Sequence, residues 1–332
     1  MNFKILKYAA AFMLLAILGC SSDADVCQEG LIQVPNAQGT IDGAAYTQSL
    51  MECREPRIQT FTGSNLKGDQ IVAEQGTVIL INPQTFADQD GFFIDGDVTI
   101  SLIEMYQPGE IIACQLSTNG INEAGNVEPL FSESIYFLDI TFNGEQVTFL
   151  HPIMIFTPSE NLGMEQFLFR SPSCPDIPCK VLWEQVELTV PVFEEPFIDA
   201  TGVKVFGYRA VIDGLGWHNI GRYNTDNITR TTVFTKTALG YDKTNANVFV
   251  RYNTPSTAIG LFDFYDASLD VFSENYAQIP IGLTADFVFA TVQGGNFLYA
   301  TKRGLVEVDF LTATLDINET DELGFINAIN GL

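Results

Sequence analysis

Ser134-Ile135-Tyr136-Phe137-Leu138-Asp139-Ile140-Thr141-Phe142-Asn143-Gly144-Glu145-Gln146-Val147-Thr148-Phe149-Leu150 is the stretch that sets the fold class. Two runs rich in β-branched and aromatic residues flank Asn143-Gly144, a dipeptide that accepts the positive φ angles of a tight hairpin turn. Toward the N-terminus, Val98, Ile100 and Leu102 alternate with Thr99, Ser101 and Ile103, the period-two pattern of a half-buried strand. Residues 76–81 read as a short strand stopped by Asn82-Pro83, and 164–169 and 181–183 close this first block. Toward the C-terminus, residues 203–212, 231–235, 248–252, 286–292, 296–301 and 305–310 carry the same strand chemistry between Gly, Asn, Pro and Lys-Arg-Gly breaks. A repeat of about ten residues per strand and turn points to sandwiches rather than βαβ units.

The reading is all-β: two consecutive β-sandwich-like domains, 54–188 and 189–332, with Glu194-Glu195-Pro196 close to the join. A single fused sandwich is the alternative. One short C-terminal helix is expected, with Asn318 as cap and acids Glu319, Asp321 and Glu322 in its first turn. Residues 27–56 have no clear period and read as ordered loop.

The chain begins with Lys4 and Lys7 ahead of an apolar run over residues 8–18. Spanning a bilayer as a helix takes about 20 apolar residues, so this run reads as the core of a signal peptide covering 1–19. Ile17-Leu18-Gly19-Cys20 resembles the bacterial lipobox, with Leu18 where Ala or Ser is commoner. That resemblance implies acylation of the Cys20 thiol, cleavage after Gly19 and attachment to the outer membrane, with residues 20–53 as lipidated cysteine and tether. Ser21-Ser22-Asp23-Ala24-Asp25 is similar to the acidic tract that Bacteroidota place on lipoproteins sent to the cell surface; a generic polar tether is the alternative.

Charge and composition exclude several classes. The net charge is −25, and loss of Lys4 and Lys7 with the signal peptide takes it to −27. A chain this acidic does not bind nucleic acid, whose phosphates need Lys and Arg. It does not dock electrostatically on anionic lipid either, so acyl chains on Cys20 must supply the membrane contact. A hydrophobic content of 46%, with 26 Phe and 11 Tyr, provides ample packed core.

Five cysteines follow Cys20 in surroundings expected to be oxidising. Cys174 and Cys179 bracket Pro175-Asp176-Ile177-Pro178 and read as a tight disulfide rather than a metal site, since no other thiol or imidazole is near in sequence. Cys27 with Cys53 is the next expected pair, leaving Cys114 as a buried free thiol.

Two stretches resemble outer-membrane lipoproteins abundant in Flavobacteria and their relatives, a family without an established activity. One runs from Gly76-Thr77-Val78-Ile79 through Asn82-Pro83, Phe86, Asp90-Gly91 and Gly96-Asp97-Val98-Thr99-Ile100 to Thr118-Asn119-Gly120 and residues 131–137. It also looks like the opening of a ZU5-type β-sandwich. The other, Gly216-Trp217-His218-Asn219-Ile220-Gly221-Arg222-Tyr223, is similar to a Trp-x-Asn-x-Asp-Arg-aromatic motif of those proteins, with Gly221 in place of the Asp. The resemblance implies location and fold and leaves activity open.

Candidate chemistry is sparse. The chain has two histidines, which rules out a zinc site of several imidazoles. His151 sits in an apolar stretch and reads as a satisfied core histidine. Asp88, Asp90, Asp95 and Asp97 put four carboxylates within ten residues, a set from which Ca²⁺ could draw several oxygens, or simply a connection where Asp-Gly turns the chain. No Gly-x-Ser-x-Gly elbow, P-loop or Gly-x-Gly-x-x-Gly is present, so acyl-transfer and nucleotide chemistry lack support.

The candidate binding segment is 214–223. Its glycines can turn the backbone so that Trp217, His218, Asn219 and Arg222 are presented together, Trp for stacking and Arg for a carboxylate. The competing reading is that Trp217 plugs a sandwich end. The functional expectation is a lipid-anchored outer-membrane or cell-surface module without enzyme activity. It would bind a glycan or protein partner, or serve an outer-membrane assembly. The alternative is a surface-polysaccharide hydrolase using two carboxylates.

Overall fold

The computed structural model describes residues 43–177, 179–187, 192–198, 202–224, 228–274 and 276–332. The signal peptide, Cys20, the acidic tract and Cys27 lie outside the described residues. Strands dominate, arranged as four large stacked sheets that form two sandwiches, with two further two-stranded sheets among the described residues.

The first sandwich contains a nine-stranded sheet in the order Gln59–Ser64, Asp97–Met105, Phe131–Phe142, Gly216–Arg222, Phe167–Arg170, Trp183–Gln185, Asn119–Ile121, Val127–Pro129, with Glu145–Gln146 paired onto Phe131–Phe142. Its partner is a five-stranded sheet in the order Phe193–Ile198, Lys204–Ile212, Ile153–Pro158, Val78–Ile81, Asp69–Val72. Ile100, Leu102, Tyr136, Leu138, Ile140 and Ile220 from the large sheet meet Ile79, Ile81, Ile153, Ile155, Tyr208 and Ile212 in the core between them. The second sandwich stacks Phe264–Asp266, Val271–Ser273, Val233–Thr237 and Phe310–Thr314 on a sheet ordered Ile259–Leu261, Asn247–Tyr252, Thr284–Gln293, Asn296–Leu305, Asn318–Thr320. Val248, Val250, Phe287, Phe289 and Ala300 fill its core.

A third core joins the two. Ile103, Ile135, Phe137, Phe169 and Trp217 from the large sheet pack with Phe249, Val288, Ala290 and Phe297 of the second sandwich. The two inner sheets are therefore covered on both faces, and this explains why residues 134–142 are almost continuously apolar: Tyr136 and Leu138 serve one core, Ile135 and Phe137 the other. Asn143 (φ 53°) and Gly144 (φ 88°) form the expected two-residue turn, both in the left-handed region as a type I′ hairpin requires. The return strand is short. Glu145 and Gln146 pair with Phe142 and Thr141, after which Thr148 and Phe149 leave to pair with Ala87 and Phe86.

Several expectations are corrected. The boundary at 188/189 falls inside the first sandwich, because Phe193–Ile198 and Lys204–Ile212 complete its outer sheet and Gly216–Arg222 sits in the middle of its inner one. Glu194-Glu195-Pro196 is part of a sheet-edge strand, where a proline costs no ladder bond, and not a linker. There are three α-helices among the described residues: α1 (Gly43–Arg54), α2 (Pro108–Ala113) and α3 (Glu322–Asn330). Helix α1 occupies part of the stretch read as loop. Helix α3 is capped by Asp321, whose carboxylate accepts from Gly324 N at 2.8 Å, while Asn318–Thr320 is drawn into the sheet edge against Phe297–Tyr299.

Cys174–Cys179 is bonded as expected. Cys53, however, pairs with Cys114, not Cys27: α1 brings Cys53 to the end of α2, with Cα atoms 5.2 Å apart. Arg54, next in the chain, is fully buried between the two disulfides. It donates to Cys114 O at 2.9 Å, Ile177 O at 2.6 Å and Cys179 O at 2.9 Å, with its guanidinium 5.3 Å from the Trp217 ring. Burial draws its pKa down to about 9.

Candidate functional site

Residues 216–222 form a central strand and not a loop. It pairs with Phe131–Phe142 on one side and Phe167–Arg170 on the other, with a bulge at Ile220/Gly221. Trp217 is buried, donates from Nε1 to Asp176 O at 3.0 Å and packs on Phe137. His218 is buried and stacks on Tyr136 with ring centroids 5.2 Å apart. Its Nδ1 lies 2.9 Å from Gly216 O, so Nδ1 carries the proton and Nε2 is a buried acceptor without a partner. Burial first, then the Arg170 charge, pushes its pKa down to about 3. Asn219 is buried and bonded to the Ser132 hydroxyl. Arg222 lies partly buried with its guanidinium 4.6 Å over Phe131. The residues expected to face a ligand together instead alternate between two cores, as side chains on a doubly covered strand must.

The four acids do not converge. Asp88 Oδ1 accepts from the backbone N–H of Asp90 at 3.0 Å and Phe92 at 2.8 Å, so it serves the turn. Asp90, Asp95 and Asp97 are exposed, and among the described residues no cluster of three or more His, Cys, Asp or Glu side chains is placed to hold a metal ion. His151 is exposed rather than core, because the chain bends there before entering Ile153–Pro158.

A site that the sequence did not indicate lies where the two sandwiches meet: a cleft of about 840 Å³. One wall comes from Pro158–Leu162 and Lys204–Phe206 of the first sandwich, the other from Arg251–Tyr252 and Thr254–Thr257 of the second. Ser132 and Thr257 tie the walls by a reciprocal pair of backbone bonds at 2.8 and 3.1 Å. Glu133 is the central polar group. Its Oε2 accepts from Ser159 Oγ at 2.6 Å and Asn161 Nδ2 at 3.3 Å, and its Oε1 from Ser256 Oγ at 2.8 Å. Asn161 Nδ2 also donates to Pro255 O at 3.1 Å, so one carboxylate and one amide bridge both sandwiches.

At the rim, Phe206 keeps 45% of its surface exposed, with Lys204 Nζ 4.9 Å above its ring. Arg251 donates to Ile329 O at 2.6 Å, and desolvation lowers its pKa. The cleft thus offers the hydroxyls of Ser159 and Ser256, the carboxylates of Glu133 and Glu160, and the exposed aromatic ring of Phe206. Only Glu133 carries a legible trace in the sequence, as a charge interrupting an apolar strand. Its partners arrive from positions up to 123 residues away.

No protein-family model matches the chain, and no curated protein matches it. Among the described residues, no helix is long and apolar enough to cross a membrane.

Proposed function

We propose that the protein is a lipid-anchored module of the outer membrane, held through Cys20, that binds a hydroxyl-rich glycan in the cleft between its two sandwiches and performs no chemistry on it. The observation that carries this reading is the Glu133 node: a carboxylate held by three neutral donors on a floor cross-linked between sandwiches is a rigid, prepared acceptor surface. Ser159 and Ser256 donate to Glu133; Ser159 Oγ also accepts from Asn161 N at 3.0 Å, so each hydroxyl oxygen keeps at least one lone pair for a sugar hydroxyl, while Phe206 offers a face to the apolar side of a sugar ring. The lipobox-like Ile17-Leu18-Gly19-Cys20 supports the anchor. The presence of a second carboxylate, Glu160, with Glu133 in the lining of the same cleft gives the hydrolase reading its one specific support.

The test is titration of the purified protein with oligosaccharides cut from bacterial surface polysaccharides. Binding that falls at least about tenfold in Phe206→Ala, a variant of an exposed residue with an unchanged melt, is the expected result. Release of glycan fragments that stops in Glu133→Gln would replace the binding reading with the hydrolase. In cells, Cys20→Ser should leave the membrane fraction, and retention there would sink the anchor.

A further inference from the structure

We infer that the end of the first sandwich carrying the Asn143-Gly144 hairpin is a docking surface for a protein partner that presents apolar side chains within a basic rim. The end is built from three connections, 64–69, 82–97 and 143–152. It exposes Phe92 to 69%, Leu150 to 48%, Leu66 to 47% and Phe93 to 39%, large apolar side chains that burial elsewhere would stabilise. None of them lines the cleft.

These loops are fastened. Asn65, fully buried, donates from Nδ2 to Phe86 O at 2.9 Å and Ile94 O at 2.7 Å, and its Oδ1 accepts from Phe86 N at 2.9 Å. Its backbone bonds Gly96 and Gln84 as well. Asp88 holds the turn that bears Phe92, and Thr148 Oγ1 donates to Asp88 O at 2.7 Å, tying that turn to the third connection. A bridge between Ala87 and Phe93, beside the pairing of Ala87 with Thr148, brings Phe93 alongside the strand that leads to Leu150. Apolar groups held on bonded loops lose little conformational entropy on association, which is what a docking anchor needs.

Charge selects the partner. The three connections contain Asp69, Asp88, Asp90, Asp95, Asp97 and Glu145 against a single Lys67. Anionic lipid headgroups would be repelled by this rim, whereas Lys and Arg around an apolar partner patch would be steered to it. The acids that fail to gather around a cation are therefore placed to orient a basic protein.

The experiment uses the purified full-length protein and two synthetic amphipathic peptides, one of Leu and Lys, the other of Leu and Glu. The Leu/Lys peptide is expected to bind and to protect residues 88–95 and 148–150 from hydrogen exchange, while the Leu/Glu peptide does neither. Phe92→Ser/Phe93→Ser and Asp90→Lys/Asp95→Lys should each weaken binding at least about tenfold with unchanged melts. Equal binding by Phe92→Ser/Phe93→Ser would show attraction by overall charge alone and overturn the proposal. So would protection on another face. Protection of 88–95 by phosphatidylglycerol micelles but not by the Leu/Lys peptide would assign this end to a membrane surface and equally overturn it. The exchange footprint on the unmodified protein decides the matter if a variant fails to fold.

Discussion

His218 and Glu274 make the clearest residue-scale prediction, because burial moves them in opposite senses. His218 is fully buried and its pKa is pushed down to about 3, below the ordinary value of 6.5. Its contribution to stability is present above about pH 6.5 and is lost as pH falls toward 3. Glu274 is buried at the edge of the second sandwich. Burial raises its pKa to about 7 from 4.5, although its carboxylate accepts from Val233 N, Tyr276 N and Ala277 N. Its contribution is complete below about pH 4.5 and is lost as pH rises through 7. Each is worth on the order of a few kcal/mol, so the two slopes oppose each other between pH 4.5 and 6.5. Melting temperatures recorded from pH 4 to 8 should show His218→Gln losing the acid-side decline and Glu274→Gln losing the decline toward neutral pH. Parallel profiles for wild type and both variants would refute the assignment.

At the scale of elements, the disulfides divide by loop length. Cys53–Cys114 spans 61 residues and joins α1 to α2, whereas Cys174–Cys179 spans 5. Loop-closure entropy assigns about 4 kcal/mol to the first and about 2 kcal/mol to the second. Chemical denaturation of Cys53→Ser/Cys114→Ser and Cys174→Ser/Cys179→Ser should reproduce that order; the reverse order would mean that local geometry outweighs chain entropy. The same elements show why helices were hard to read. Helix α1 has Gly43 at its start and Tyr46, Ser49, Cys53 and Arg54 as its buried positions, so it lacks a strong apolar stripe and depends on the disulfide and on packing. Helix α2 is six residues long and starts at Pro108, three residues after the strand ending at Met105, in an otherwise β-rich run. The hairpin, by contrast, was legible because Asn143 and Gly144 tolerate φ > 0 in any context.

For the whole molecule, the third core predicts one cooperative unit. Trp217, Phe137 and Ile103 on one side and Phe249, Val288 and Phe297 on the other bury each other, so neither sandwich presents a finished surface alone. A fragment of residues 54–188 lacks three strands of the first sandwich and should fail to fold. Full-length protein should melt in one transition by both far-ultraviolet and aromatic circular dichroism. A folded 54–188 fragment, or two separated transitions, would contradict this.

The sequence by itself determined the β class, the hairpin turn, the short Cys174–Cys179 link and the acidity of the whole. Each of these is written in local chemistry: alternation, φ tolerance, spacing and charge. Only the tertiary structure decided that Trp217, His218 and Asn219 are core rather than site. A doubly covered strand buries both of its faces, here every residue from Gly216 to Gly221, and that depends on sheets contributed by distant segments. The same dependence hid the cleft. Glu133, Asn161 and Ser256 meet only because two sandwiches pack, and no local pattern encodes a meeting across 123 residues.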